Sequence, residues 1–356
     1  MKSSIPAAAI LALMVTATSA QTQLEIFGTA DVGLALVKNG RLGSVKSEFS
    51  GSAAGGNSSS RIGLRGREDL GDGWSASFHL ESSVNFDTGT TASAFWDRRA
   101  TVSLASRSRG EVRLGRDYIP THTVHCGFDF GGGCLGLASP KTFDDPATSQ
   151  VLVGARPNVS RANNSVQYIL PEGLGGLRGA VFVAAGEGVV AGKVQGARLG
   201  YRVGALDVAA AMTRIVNTPT ARFDDTVFGA AYDFGVVRVA LNQRAYKWGS
   251  SKQVVNRVLL TAPVGQGLVR LTYMTNDQTG PTATLSARDA KLWAVAYVHD
   301  MSKRTALYAA TGQIANKGTG TFVYPGGPAV SATATAPNYF GGGKSTGTEF
   351  GVRHHF

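Results

Sequence analysis

The strongest constraint on this chain is a two-residue period in its hydrophobicity. Leu24, Ile26, Gly28, Ala30, Val32, Leu34 and Leu36 share one parity, while Glu25, Thr29 and Asp31 share the other. A repeat of 180° per residue places successive side chains on opposite faces, which is a strand and not a helix. The pattern returns at 61–67, where Ile62 and Leu64 oppose Arg61, Arg65 and Arg67. It returns again at 74–81, where Trp74, Ala76, Phe78 and Leu80 oppose Ser75, Ser77, His79 and Glu81. Ala100/Val102/Leu104, Val237/Val239/Leu241, Leu292/Ala294/Ala296/Val298 and Phe350/Val352/Phe356 continue it towards the C-terminus. The 46 glycines argue against a helical bundle, since each interior glycine costs a helix about 1 kcal/mol against alanine.

The connections alternate as well. Short turns are expected near 68–73, 106–110, 172–176, 203–205, 234–235, 263–267 and 300–304. Long loops are expected near 38–60, 85–97, 118–162, 185–192, 215–225, 245–253, 275–289 and 312–344. These connections join about sixteen strands and put both termini on the short-turn side. Tight turns on one rim and long loops on the other are the pattern of an outer-membrane barrel. A soluble sandwich would turn its polar parity to bulk water and carry long loops at both ends. Here the apolar parity is Leu, Val, Ala, Ile and Gly, suited to lipid, and the other is too polar for a dry core. In lipid every backbone N–H and C=O needs an internal partner, so such a sheet must close. About sixteen strands enclose a water-filled lumen. Trp74, Tyr232, Phe234 and Phe356 fall near turns, where an aromatic girdle would sit.

The first residues read as an export signal. Lys2 is followed by an apolar run from Ile5 to Val15 and by the small residues Thr18, Ser19 and Ala20. Residues 1–20 are therefore expected to be removed before Gln21, leaving 21–356 as a single barrel domain. Loss of Lys2 takes one positive charge from the formal +11 and leaves +10. Such an excess points to an anionic partner or solute.

The segment SRIGLRGREDLGDG at 60–73 resembles the general diffusion porins of Gram-negative bacteria, in particular the trimeric porins of betaproteobacteria. FGTADVG at 27–33, RATVSL at 99–104, VRLGRDYIP at 112–120, NNSVQYILP at 163–171, SKRTALY at 302–308 and GVRHHF at 351–356 extend the resemblance over nearly the whole mature chain. It implies an all-β, 16-stranded antiparallel transmembrane β-barrel in the outer membrane, assembled as a homotrimer. It also implies a third long loop folded into the lumen as the constriction. Phe356 takes the place of the terminal aromatic that resembles the signal read by the outer-membrane assembly machinery. The residues themselves agree on the loop, because 118–162 is the longest connection and loops of such length are usually functional or disordered. Its Phe128, Phe130, Leu135, Leu137 and Phe143 need a surface, which in a hollow barrel is the inner wall.

Selectivity in a wide pore is set by its diameter and by fixed charge at the narrowest point. The resemblance places Arg61, Arg161 and one of the pair Arg98–Arg99 there. Alternation puts Arg99 in phase with the lumen-facing Thr101 and Ser103, whereas the family pattern favours Arg98; a local bulge would reconcile them. Arg65 and Arg113 are lumen-phase candidates further along their strands. Glu81 is the expected counter-ion, and Asp129, Asp144 and Asp145 are candidates for an opposing acidic wall. Guanidinium groups stay charged when crowded, so the expectation is a channel for small hydrophilic solutes that prefers small anions. The competing reading is a set of solvated wall arginines without effect on selectivity. Lys38, Arg41 and Lys46 are candidates for lipopolysaccharide phosphates, which would account for part of the charge.

Cys126 and Cys134 lie inside the expected constriction loop, a departure from the family. Export exposes them to oxidising conditions, so a disulfide is expected. A metal site with His122 and His125, and two free thiols, are the rivals; the H-x-x-H-C spacing is not a strong zinc pattern. His354 and His355 are adjacent and so point to opposite faces of the last strand. An outer-membrane enzyme is disfavoured, because no motif sets a nucleophile beside an oriented base, and no cofactor is implied. A substrate-specific channel for small organic anions is the alternative within the same fold; an adhesin or soluble secreted β protein is a weaker one. Nucleic acid is not an expected partner, because the basic residues alternate within strands instead of forming one exposed patch.

Overall fold

A computed structural model describes residues 23–50, 56–130, 134, 136–138, 143, 152, 158–188, 192–216 and 221–356. The expected signal segment, Leu135, Asp144 and Asp145 lie outside the described residues. The strands are β1 (Gln23–Asn39), β2 (Ser44–Ser50), β3 (Arg61–Gly71), β4 (Trp74–Asn85), β5 (Thr90–Thr91), β6 (Arg99–Ser106), β7 (Gly110–Tyr118) and β8 (Arg161–Ile169). They continue as β9 (Leu177–Ala184), β10 (Val194–Val203), β11 (Leu206–Val216), β12 (Arg222–Asp233), β13 (Arg238–Trp248) and β14 (Ser251–Val264). The last four are β15 (Gly267–Thr279), β16 (Ala290–Asp300), β17 (Thr305–Asn316) and β18 (Lys344–His355).

All pairings between these strands are antiparallel, and sixteen of the strands form a closed barrel. The ring closes because β1 pairs with β18 along Thr29–Asn39 and with β3 along Gln23–Thr29. β2 and β5 stand outside the ring as loop strands, which the alternation does not separate from their loops. β2 folds back on the upper half of β1, and β5 forms a two-residue ladder on the end of β4. No helix among the described residues is long and apolar enough to cross a membrane.

The two parities face where alternation sends them. Leu24, Ile26, Leu34, Val102, Leu114, Val181, Leu199, Phe228 and Phe350 form an exposed apolar outer face. Asp31, Thr101, Ser103, Arg244, Arg257 and Arg270 point inward. Tyr232, Phe234 and Phe356 are exposed near the short-turn rim. His354 and His355 face opposite ways, bonding Thr305 Oγ1 at 2.9 Å and Thr29 Oγ1 at 3.0 Å respectively.

One expected long loop is absent. The segment read as a loop at 245–253 is a tight turn, because β13 runs to Trp248 and β14 begins at Ser251. Tyr246 is fully buried against Phe223, so the alternation continues past Ala245. Gly249 supplies the positive φ of 59° that a tight hairpin demands. The 215–225 loop is likewise shorter than expected, since β11 ends at Val216 and β12 starts at Arg222.

The barrel's interior is partly filled from the loop side. The connection between β7 and β8 enters the lumen through Ile119 and α1 (Pro120–Gly127), which packs against β10, β11 and β12. Phe128 then lies over Gly229 of β12, Thr272 Oγ1 of β15 donates to the Ala138 carbonyl at 2.8 Å, and Leu137 lies against Gly347 of β18. Phe128, Leu137 and Phe143 are buried as expected, and Ile119, Leu152 and Val159 join Phe182, Ile215, Phe223 and Tyr246 in a second apolar cluster. The last long loop, 317–343, also turns inward. Its Phe322 meets Phe143 edge-on with ring centroids 5.3 Å apart, and the Tyr324 hydroxyl donates to the Leu137 carbonyl at 3.4 Å.

Several strand glycines are seats for aromatic rings. A Cβ on Gly63 would stand 2.3 Å from Phe27 Cζ and 2.8 Å from the Leu80 carbonyl oxygen. A Cβ on Gly28 would meet Phe356, whose backbone closes the barrel by bonding Gly28 in both directions, at 2.9 and 3.2 Å. Gly63→Val is therefore expected to destabilise the barrel by about 1–3 kcal/mol, the usual cost of overpacking. The check is the denaturant midpoint in detergent; an unchanged midpoint would contradict the packing described.

Candidate functional site

Four arginines converge on the inner wall where the inward loop leaves and rejoins the barrel. Arg61 opens β3, Arg161 opens β8, and Arg98 and Arg99 lead into β6. Strand parity governs Arg99, which sits opposite Glu81 of β4. Arg98 precedes the first paired residue of β6, in a bend that parity does not reach, although its N–H still bonds the Glu81 carbonyl at 3.2 Å. Both side chains consequently turn inward, so the choice left open between them dissolves.

Glu81 and Tyr118 organise the cluster. The Glu81 carboxylate accepts from Arg98 Nε and stands 3.6 Å from both Arg61 Nε and His79 Nε2. The Tyr118 hydroxyl accepts from Arg161 at 2.7 Å and from Arg98 at 3.2 Å, and the Arg161 guanidinium lies 4.3 Å above the Tyr118 ring. Arg161 Nε also donates to the Arg98 carbonyl at 2.7 Å, which ties the loop's end to its neighbour strand. Arg61 donates to the Ser59 carbonyl at 3.0 Å. Arg99 bonds Thr101 Oγ1 at 3.2 Å and lies 3.5 Å from Asp117. Among the described residues the carboxylates in ion-pair contact with these four guanidinium groups are Glu81 and Asp117, with Asp97 also near Arg98, so the patch keeps a positive surplus.

Arg65 lies away from this cluster, towards the short-turn rim, and Arg113 adjoins it, sharing Asp117 with Arg99. Arg65 is held in a bidentate pair with Glu25, both bonds 2.8 Å long. Arg113 pairs with Glu111 at 2.7 Å and with Asp117 at 2.9 Å. Sequence reasoning missed Asp117 although it stands in the inward phase of Arg113 along β7; the register shift beside it takes up an extra residue of β8 and leaves the parity of β7 intact. It missed Tyr118 for lack of any signal beyond its position in the motif at 112–120.

Asp129 does not form an opposing acidic wall. Its carboxylate is buried, accepting from Arg257 at 3.0 Å, Arg270 at 2.8 Å and the Cys134 N–H at 2.9 Å. Two buried guanidinium groups from β14 and β15 more than offset its charge and pin the loop to the far wall. Cys126 and Cys134 are joined in a disulfide that closes a ring around this anchor, which uses both sulfurs that a metal site would have required. His122 sits between the ring and the arginines, stacked on Tyr118 at 4.8 Å and 3.6 Å from Cys126 Sγ. Two further inward carboxylates bind loop backbone, a role that the sequence does not reveal even where parity shows the inward aim of Asp31. Glu349 accepts from the N–H groups of Leu137 and Gly56, both at 3.2 Å. Asp31 accepts from Asn57, Ser58 and the Tyr308 hydroxyl.

Asp129→Asn should cost about 3–5 kcal/mol, as removal of one partner from a buried ion pair does. The expected readout is a lower thermal midpoint together with noisier single-channel current, since the loop loses its anchor. Wild-type stability and noise would contradict the anchoring role.

Comparison with known proteins places this geometry in a family. A sequence model of the Gram-negative porins matches residues 7–319. The chain is 34% identical over 380 residues to outer membrane porin protein 32 of Delftia acidovorans, covering all of both chains. It is 26% identical to an outer membrane porin protein of Bordetella pertussis, over 87% of this chain and 93% of the relative. Among solved structures, the anion-selective porin from Comamonas acidovorans superposes with a TM-score of 0.78 at 31% identity, covering 94% of this chain and 100% of that one. OmpF of Salmonella typhi shares the fold with a TM-score of 0.65 at 14% identity, over 94% of this chain and 97% of that one. A closed sixteen-strand barrel with a polar lumen, an inward loop and this ancestry belongs to the Gram-negative porins, and the chain is an outer-membrane porin, a channel for passive diffusion.

Proposed function

We propose that this porin prefers small anions and that Arg61, Arg98, Arg99 and Arg161 set the preference at a constriction formed by residues 118–162. The observation that carries the reading is the surplus of guanidinium charge on the wall beside the inward loop, where Glu81 and Asp117 are the carboxylates in contact. Asp129, spent on Arg257 and Arg270, adds no free negative charge from the loop. The Debye length is about 8 Å at physiological ionic strength, so in a narrow passage these charges reach every ion that passes. Arginine remains protonated throughout, which makes the preference insensitive to pH as far as these four groups are concerned. The anion-selective relative from Comamonas acidovorans supports the same reading.

The remaining assignments follow from the family and the sequence. Residues 1–20 act as a cleaved export signal, Phe356 presents the C-terminal end to the outer-membrane assembly machinery, and the mature chains assemble as a homotrimer. A relative of the same fold from Vibrio cholerae is described in a trimer form. Lys38, Arg41 and Lys46 face lipopolysaccharide phosphates, and small anionic solutes are the cargo.

Planar-bilayer recording of the purified protein tests both selectivity and assembly. Three equal conductance steps per insertion and a reversal potential biased towards chloride are expected in a potassium chloride gradient. Arg61→Ser with Arg161→Ser should lower the anion/cation permeability ratio by about threefold or more, the size of a ~0.7 kcal/mol loss in preference. Cation bias in the wild type would overturn the selectivity reading, and current that saturates with one organic anion would favour a substrate-specific channel.

A further inference from the structure

Directly below the arginine cluster, towards the short-turn rim, the inner wall holds a pocket of about 330 Å³. Arg65, Arg67, Arg113, Ser77 and the two carboxylates Glu25 and Glu111 line it, with Arg99, shared with the cluster above, at its upper edge. We propose that this pocket is a binding station for small oxyanions, with inorganic phosphate as the type ligand, distinct from the constriction above it. The proposal rests on the anion-preferring reading of the channel.

The register builds the pocket. Arg65 faces Glu25 on one side and His79 on the other; Arg67 faces Gln23 and Ser77; and Ser103 faces Ser77 and Arg113. Every one of these residues belongs to the inward parity of its strand. Four guanidinium groups therefore share a wall with hydroxyls and an amide. Their carboxylates among the described residues number three: Glu25 on Arg65, Glu111 on Arg113, and Asp117 between Arg113 and Arg99. Arg67 is the remainder: it is exposed and makes no hydrogen bond or ion pair among the described residues. Arg65 is immobilised from two sides, by the bidentate Glu25 and by the Phe27 ring 5.0 Å from its guanidinium carbon.

The chemistry of the lining selects an oxyanion over a halide. Planar guanidinium forks match two oxygens at once, and hydroxyls and amides donate to the others. Chloride, a sphere, also accepts hydrogen bonds but has no pair of oxygens to match the fork. At about 30 Å³ per water the pocket holds about ten molecules, room for a tetrahedral anion with part of its hydration shell. The station is weak by construction, because Glu25 and Glu111 compete for two of the forks. Weak retention is what conduction needs, since an ion that binds tightly blocks the pore.

The test is chloride current through the intact porin in planar bilayers as sodium phosphate is added on the short-turn side. Phosphate should reduce chloride current along a saturating curve. Arg67→Gln should raise the half-saturating concentration by about threefold or more, and Glu25→Gln, which frees the Arg65 fork, should lower it by a similar factor. Neither substitution opens a buried pair, since Arg67 is exposed and Glu25 is half-exposed. Anion-biased current that phosphate depresses without saturation, or saturation untouched by either substitution, would overturn the pocket while leaving the selectivity reading intact. Cation bias in chloride alone would overturn the selectivity reading and the pocket with it.

Discussion

Everything in this molecule depends on the requirement that backbone polar groups in a hydrocarbon layer find partners within the protein. An open sheet would leave two unpaired edges, so the ladder must meet itself. It does so at β1, which gives its lower half to β3 and its length from Thr29 onward to β18. The closure extends to the last residue, where Phe356 and Gly28 exchange backbone hydrogen bonds. A ring of sixteen strands is too wide for side chains to fill, and that width creates the second problem, which is what to do with the space.

The chain answers with an inward loop whose two sides have opposite character. Where the loop touches β10 to β15 and β18, it brings Phe128, Leu137, Phe143 and Leu152 against apolar or glycine-bearing wall, and the Asp129 anchor against Arg257 and Arg270. Beside β3, β6 and β8 the wall is arginine-rich. The two sides differ in burial more than in count: Arg257 and Arg270 are closed off around Asp129, whereas Arg61, Arg99 and Arg161 keep part of their surface open beside Glu81 and Asp117.

The sequence exposed the barrel more completely than the pore. Alternation alone sorts Leu24, Ile26 and Leu34 from Asp31, because lipid and water demand opposite chemistry at every second position. It also carries β13 past Ala245, where a boundary placed by composition fell short; Tyr246 in phase with Arg244 was the overlooked sign. The pore resisted for two reasons. Parity ceases at irregular backbone, so the inward turn of Arg98, in the bend before β6, does not follow from counting residues. And a charge in a sequence carries no record of its partner: Asp129 reads as a free carboxylate until β14 and β15 bring two arginines to it from more than a hundred residues away.

The contacts of Leu137 bear on how the molecule is made. Its N–H is held by Glu349, its side chain rests on Gly347, and its carbonyl receives the Tyr324 hydroxyl. All three residues come from the C-terminal end of the chain, more than 180 residues downstream. The inward loop can reach its final seat only when the last strand arrives. Loop docking and the sealing of the cylinder are thus coupled, and a barrel lacking β18 would have neither its final pore nor its final seam.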